Sequence, residues 1–197
     1  MKRVLIVVDV QHDFIDGSLA VPNAREIIPF INEKLEYGHY DLVIGTQDWH
    51  PVNHVSFAST YQDKKPFVDT IQAPYGEQRL WPDHCVQGRS GAEFWFEMLS
   101  EKFEIILRKG LNRFTDSYSA FFDAAGTKLW STKLINYEWA VDIVGLATDY
   151  CVKFTAMDAL KFTDNVNVLL QGCRGVAEET TNAAIEEMRK AGIVVVK

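Results

Sequence analysis

The chain has 197 residues, 47% of them hydrophobic and 24% charged, which fits one globular domain able to bury its own core without a disulfide or metal staple. Its 20 lysines and arginines stand against 27 acids, a net charge of −7, and no basic block interrupts the sequence. That balance argues against nucleic acid or an anionic membrane as a partner, and no apolar stretch approaches the ~18 residues needed to span a bilayer.

The first segment, "MKRVLIVVDV", meets Asp9 at once and has no small-residue cleavage site, so it reads as a buried strand and not a signal peptide. "NAREIIPFINEKLEYGH" then places Ile27, Ile28, Ile31 and Leu35 on one helical stripe despite Pro29. "DLVIGT" is the second strand. Residues 47–91 break the rhythm, holding four of the six prolines and three of the five histidines with little periodicity. A long irregular stretch inside a compact domain is either functional or a misassigned element, and the composition here favours function. Next come the strands "EIILRKG" and "AVDIVGL", the apolar helix "DYCVKFTAMDALKF" and the strand "NVNVLLQ". The helix "EETTNAAIEEMRKAG" follows, acidic first, basic last and ending at Gly192, and "IVVVK" is the sixth strand. Strands that are apolar with little alternation are covered on both faces. Their alternation with helices predicts an α/β fold with a largely parallel sheet, in a single domain spanning 1–197.

In open parallel sheets, ligands bind beyond the carboxyl ends of the strands. Four such ends carry polar or ionisable groups: Asp9 with "VQHDF", "TQDWHPVNH", "KGLNRF" and "GLATDYC". Cys151 falls within the first turn of its helix, where orphan N–H groups and the dipole favour a thiolate, so its pKa is expected below the ~8.5 of a free thiol. Gly145 gives the turn a permissive backbone, and Thr148 or Asp149 is expected to cap the helix. The N–H groups of Ala147 and Cys151 are then free to face a developing oxyanion. A free cysteine also fills cores, so the turn alone does not decide. Asp9 and Lys109, taken singly, read equally as a structural ion pair and a solvated strand-end lysine. Beside a thiol they make a base, an activating charge and a nucleophile.

Asp48 and His50 are two residues apart, so in an extended chain both face one way, ~6–7 Å apart. His84 and His54 lie in the same irregular segment, and a carboxylate–imidazole set of this kind suits Zn, Fe or Mn. The plain alternative is histidines hydrogen-bonded within loops. Cys85 points away from its neighbour His84 and reads as structural, while Cys173 has nothing around it to activate it. The three cysteines form no C-x-x-C pair and cannot all be paired, which suits a reducing cytoplasm. Phe14, Trp49, Trp81 and Tyr118 are placed to wall a flat ring.

Together, "VDVQHDF", "QDWHPVNHVSF", "LWPDHCVQG", "RKG…YSAF" and "GLATDYCV" closely resemble the nicotinamidases of the isochorismatase-like cysteine hydrolase superfamily, in the family's order and over the whole chain. The resemblance implies a three-layer sandwich around a mostly parallel six-stranded sheet, and hydrolysis of nicotinamide to nicotinate and ammonia in NAD salvage. It maps the catalytic triad onto Asp9, Lys109 and Cys151, and the oxyanion hole onto Ala147 and Cys151 after a cis Leu146–Ala147 peptide. One divalent metal, zinc first and iron or manganese otherwise, would be held by Asp48, His50 and His84. His54 matches a position that ligates directly in some members and through water or not at all in others. Phe14, Trp81, Tyr118 and Tyr150 match ring-lining positions, with Leu146 beside them. Relatives that act on carbamoyl or ureido compounds share the acid, lysine and cysteine but generally lack the Asp-x-His motif. The implied partner is a small molecule, and a homo-oligomer is compatible with the sequence.

Overall fold

The structure, a computed structural model, describes residues 1–197 with the side chain of Trp130 excepted. In chain order the strands are β1 (Lys2–Val8), β2 (Leu42–Asp48), β3 (Thr70–Ala73), β4 (Gly76–Arg79), β5 (Ile105–Lys109), β6 (Trp139–Leu146), β7 (Val166–Arg174) and β8 (Val194–Val196). The helices are α1 (His12–Ile15), α2 (Ile28–Tyr37), α3 (Lys153–Ala159) and α4 (Glu178–Lys190). The six apolar runs form one sheet in the order β5-β2-β1-β6-β7-β8, with every neighbouring pair parallel.

Strand β1 shows why its sequence is apolar throughout. Its residues alternate between two cores: Leu5 and Val7 pack with Ile28, Ile31 and Leu35 of α2, while Val4, Ile6 and Val8 pack with Ala156 and Ala159 of α3 and Met188 of α4. Each of these β1 side chains is fully buried, a contribution of roughly 1.5–3 kcal/mol apiece. The result is helix, sheet, helix in three layers.

The irregular segment holds one element that patterning misses, the antiparallel hairpin β3–β4. Its strands are short, polar and half-exposed, so no apolar periodicity announces them; Gly76, at φ 124°, follows Tyr75 at the turn. Residues 148–152 form a π-helical turn ahead of α3, and the cap expected there is absent: neither Thr148 nor Asp149 bonds to that turn's own N–H groups. Asp149 serves α4 instead, accepting the N–H groups of Val176 (3.0 Å) and Ala177 (3.4 Å) and the Thr180 hydroxyl. These bonds tie the turn that carries Cys151 to the chain entering the next helix. No helix is long and apolar enough to cross a membrane among the described residues.

Candidate active site

The parallel register sets the site. Asp48 is the ladder partner of Lys109, and β1 lies on the other side of β2, so Asp9, Asp48 and Lys109 emerge together from three adjacent strand ends. Lys109 is 1% exposed, which excludes the solvated-lysine reading. Its Nζ lies 2.8 Å from Asp9 Oδ2, contacts Asp48 Oδ1, donates to the Ser117 carbonyl at 3.0 Å and sits 3.4 Å from Cys151 Sγ. Burial works against the lysine charge, but the two carboxylates outweigh it and hold its pKa well above the ordinary value.

Asp9 adopts φ 50°, a left-handed conformation that turns the chain off β1. Thr46 fixes it: the threonine hydroxyl donates to Asp9 Oδ1 at 2.6 Å and accepts the Asp9 N–H at 3.2 Å. Oδ2 keeps its ion pair with Lys109 but accepts no hydrogen bond. Carboxylate oxygens of Asp9 and Asp48 and the Cys151 sulfur lie within 4.8 Å of one another, so the Asp9 carboxylate stands beside the thiol. Burial pushes the Asp9 carboxyl up to about 6, against the pull of Lys109.

Cys151 corrects one expectation. Its thiol does not titrate low; burial pushes it well above the ordinary value, with Lys109 pulling the other way and Asp9 and Asp48 adding to the rise. A single turn of exposed N–H groups does not offset removal from water beside two carboxylates. Burial thus favours the protonated form of a sulfur that lies beside the Asp9 and Asp48 carboxylates. The Leu146–Ala147 peptide is cis, and the Tyr150 and Val152 N–H groups both donate to the Ala147 carbonyl, closing the turn. Gly145, at φ 119°, has no room for a side chain because a Cβ would overlap the Val8 carbonyl.

Asp48, His50 and His84 bring one donor atom each within 4.8 Å of the others. His50 Nε2 is 3.6 Å and His84 Nε2 3.9 Å from Asp48 Oδ2. Each ring is oriented from behind, His50 Nδ1 by the Gly110 carbonyl at 3.1 Å and His84 Nδ1 by the Pro82 carbonyl at 2.8 Å. That bond puts the proton on Nδ1 and leaves the Nε2 lone pair inward, the arrangement of a metal-ligating imidazole. Burial, with His50 nearby, brings His84 down to about 4, so it is neutral and able to ligate at ordinary pH. The donor set therefore fits a divalent metal. His54 stands outside it, bonded to Ser56 Oγ at 2.8 Å and tilted against the His50 ring at 4.2 Å between centres, and its nearest donor set is His50 with Asp116.

Gly110→Ala is expected to damage this cluster selectively. A Cβ there would overlap the His50 ring, and the residue sits at φ +65°. Metal analysis should show affinity reduced by about 10–100-fold, the usual cost of disturbing a ligand's support. Unchanged metal content would contradict the assigned support.

Between thiol and imidazoles lies a narrow cleft of about 30 Å³, lined by Phe14, Trp81, Tyr118, Tyr150, Ala147 and Cys151 among others. Tyr118 is fixed by its hydroxyl, which accepts Trp81 Nε1 at 2.9 Å and Gln78 Nε2 at 3.3 Å. Two predicted residues are elsewhere. Leu146 is fully buried in the core behind Ala147 and does not line the cleft, because alternation on β6 turns it inward. Trp49 lies under the Arg108 guanidinium, 3.8 Å from its ring centre, and is also outside the cleft.

The isochorismatase domain family matches residues 3–197. The nicotinamidase of Acinetobacter baylyi is 46% identical over 196 residues, covering 96% of this chain and 89% of its own. The chain belongs to the isochorismatase family. Among solved structures, a nicotinamidase/pyrazinamidase of Acinetobacter baumanii is 40% identical with a TM-score of 0.91, covering 100% of this chain and 96% of its own. A pyrazinamidase of Pyrococcus horikoshii, solved in complex with zinc, is 34% identical with a TM-score of 0.79, covering 100% and 99%.

Within this family site, several supports escape sequence reading. Gln11 clamps the Asp48 backbone, accepting its N–H at 2.9 Å and donating to its carbonyl at 2.8 Å. Asp13 accepts the Cys85 N–H at 2.7 Å, holding the segment beside His84. Thr46 and Gln78 act from within strands. Leu19 and Val176 complete the cleft. The only available signal was that Gln11 and Asp13 fall inside the "VQHDF" block.

Proposed function

We propose that this chain is a metal-dependent cysteine amidohydrolase that converts nicotinamide to nicotinate and ammonia, in the recycling of NAD in a reducing cytoplasm. The observation that carries the proposal is the convergence, at the sheet's carboxyl edge, of Lys109 with Asp9 on one side and the Cys151 sulfur on the other, beside a donor set built for a metal.

The Asp9 carboxylate takes the Cys151 proton as the sulfur attacks the carboxamide carbon. Lys109 stays charged throughout and stabilises the sulfur as its charge develops. The N–H groups of Ala147 and Cys151 hold the oxyanion. The C–N bond then breaks, Asp9 returns its proton to the departing ammonia, and a thioester remains on Cys151. A water attacks the thioester, giving a proton to Asp9. Nicotinate leaves, and the sulfur recovers that proton. Tyr118, Trp81 and Phe14 hold the ring and keep bulk water from the thioester. A divalent metal, for which zinc is our assignment, would be held by Asp48, His50 and His84 and would supply a Lewis acid for the pyridine nitrogen, fixing the ring.

The purified protein is expected to release ammonia from nicotinamide and to leave carbamoyl and ureido compounds almost untouched. The reverse preference would assign it to the other branch of the superfamily. Chelation should depress nicotinamide hydrolysis, with recovery on adding metal back; activity indifferent to both would remove the metal from the account.

Since Asp9 must be ionised to accept the thiol proton, kcat/KM should fall about tenfold per pH unit below its elevated value of about 6. A profile that stays flat down to the ordinary aspartate range would exclude Asp9 as the base.

A further inference from the structure

Tyr150 occupies an unusual place, one residue before the nucleophile and on the boundary of two cavities. It lines the narrow cleft beside Cys151, and it also lines an outer cavity of about 320 Å³ between β4, α3 and α4. Tyr118 borders both as well, but its hydroxyl is pinned by Trp81 and Gln78. Tyr150 stands between them by ring contacts, edge-on to Trp81 at 4.8 Å and tilted 5.7 Å from Tyr118. The outer cavity has an aromatic wall, Tyr118 stacked on Phe154 at 5.4 Å and 24°, and a rim that includes the Lys153–Glu187 ion pair at 3.0 Å. Ala183 of α4 opens onto the same space.

We propose that Tyr150 is a specificity-determining partition, whose ring confines the site to a single small aromatic ring and closes off an adjoining subsite suited to fused-ring or aryl-extended aromatic carboxamides. The inference rests on the amidase reading above. The reaction is the same hydrolysis at the same carbon; what changes is the space beyond the ring. An aromatic extension passing the position of the Tyr150 side chain would meet the Tyr118–Phe154 wall, a surface matched to a second π-system.

The test compares kcat/KM for nicotinamide with that for quinoline-3-carboxamide and 5-phenylnicotinamide in the full-length protein. Relative to nicotinamide, Tyr150→Ala should improve at least one extended amide by about tenfold or more, the discrimination that modest steric exclusion from an apolar site supplies. Tyr150→Phe keeps the ring and should keep the wild-type ratio. Adding Ala183→Trp to Tyr150→Ala refills the outer cavity and should return the ratio towards wild type. A ratio unmoved in Tyr150→Ala, or a gain that Ala183→Trp does not reduce, overturns the proposal. Failure of the amidase reading would show separately, as no hydrolysis of nicotinamide by the wild type.

Discussion

Cys151→Ala is expected to lower kcat for nicotinamide by about 10⁴-fold or more, while the protein folds and loads metal as before. The size follows from the arrangement. The Asp9 carboxylate lies beside the sulfur and Lys109 is 3.4 Å from it, so without the thiol neither has a nucleophile to activate. The side chain is small and 5% exposed, so its loss leaves only a slight void. Stability should therefore barely move while activity collapses. Steady-state ammonia release and thermal unfolding, measured on the same preparation, check the two halves. Substantial activity in the variant would make Cys151 a core residue after all.

Lys109→Met should have the larger effect on stability. In the wild type one ammonium lies between two buried carboxylates, 2.8 Å from Asp9 and in contact with Asp48. Removing it leaves two acids, within 4.8 Å of each other and out of water, with no counter-charge. Uncompensated buried charge of this kind costs about 3–5 kcal/mol, which for a domain of this size lowers Tm by about 10 °C in metal-free protein. The sign of the pH dependence is fixed by the same picture. In the variant, mutual repulsion and burial raise the folded carboxyl pKa values above those of the unfolded chain, so the folded state binds more protons. The deficit is then greatest at neutral pH and shrinks as pH falls through the raised values. A Tm equal to wild type across that range would mean that Lys109 is not what keeps the two acids together. Activity should fall as well, since one acid becomes protonated at neutral pH and the sulfur loses its cation.

The frame was legible because β-branched runs of five to nine residues have few folded uses. Covered on both faces and separated by helical stripes, they form a parallel sheet, and all six do. The reacting groups were legible for the same reason. A buried acid, lysine and thiol at strand ends sit where a parallel sheet gathers ligands, and register alone makes Lys109 the neighbour of Asp48. What did not show was side-chain direction and solvation. Leu146 ends β6 and faces the core, and Asp149 bonds the chain entering α4 and not its own turn. The low thiol pKa followed from helix position, whereas burial beside two carboxylates, a tertiary property, decides the sign. The β3–β4 hairpin contributes Gln78, which bonds the Tyr118 hydroxyl, without hydrophobic periodicity to mark it.

The central claim is that catalysis runs through an acyl group on Cys151. Hydroxylamine tests it directly, because it competes with water for a thioester but not for direct hydrolysis of the amide. With nicotinamide as substrate, nicotinohydroxamate should form at the expense of nicotinate as hydroxylamine rises, with ammonia release undiminished. Nicotinate as the sole product at every hydroxylamine concentration would contradict the covalent mechanism.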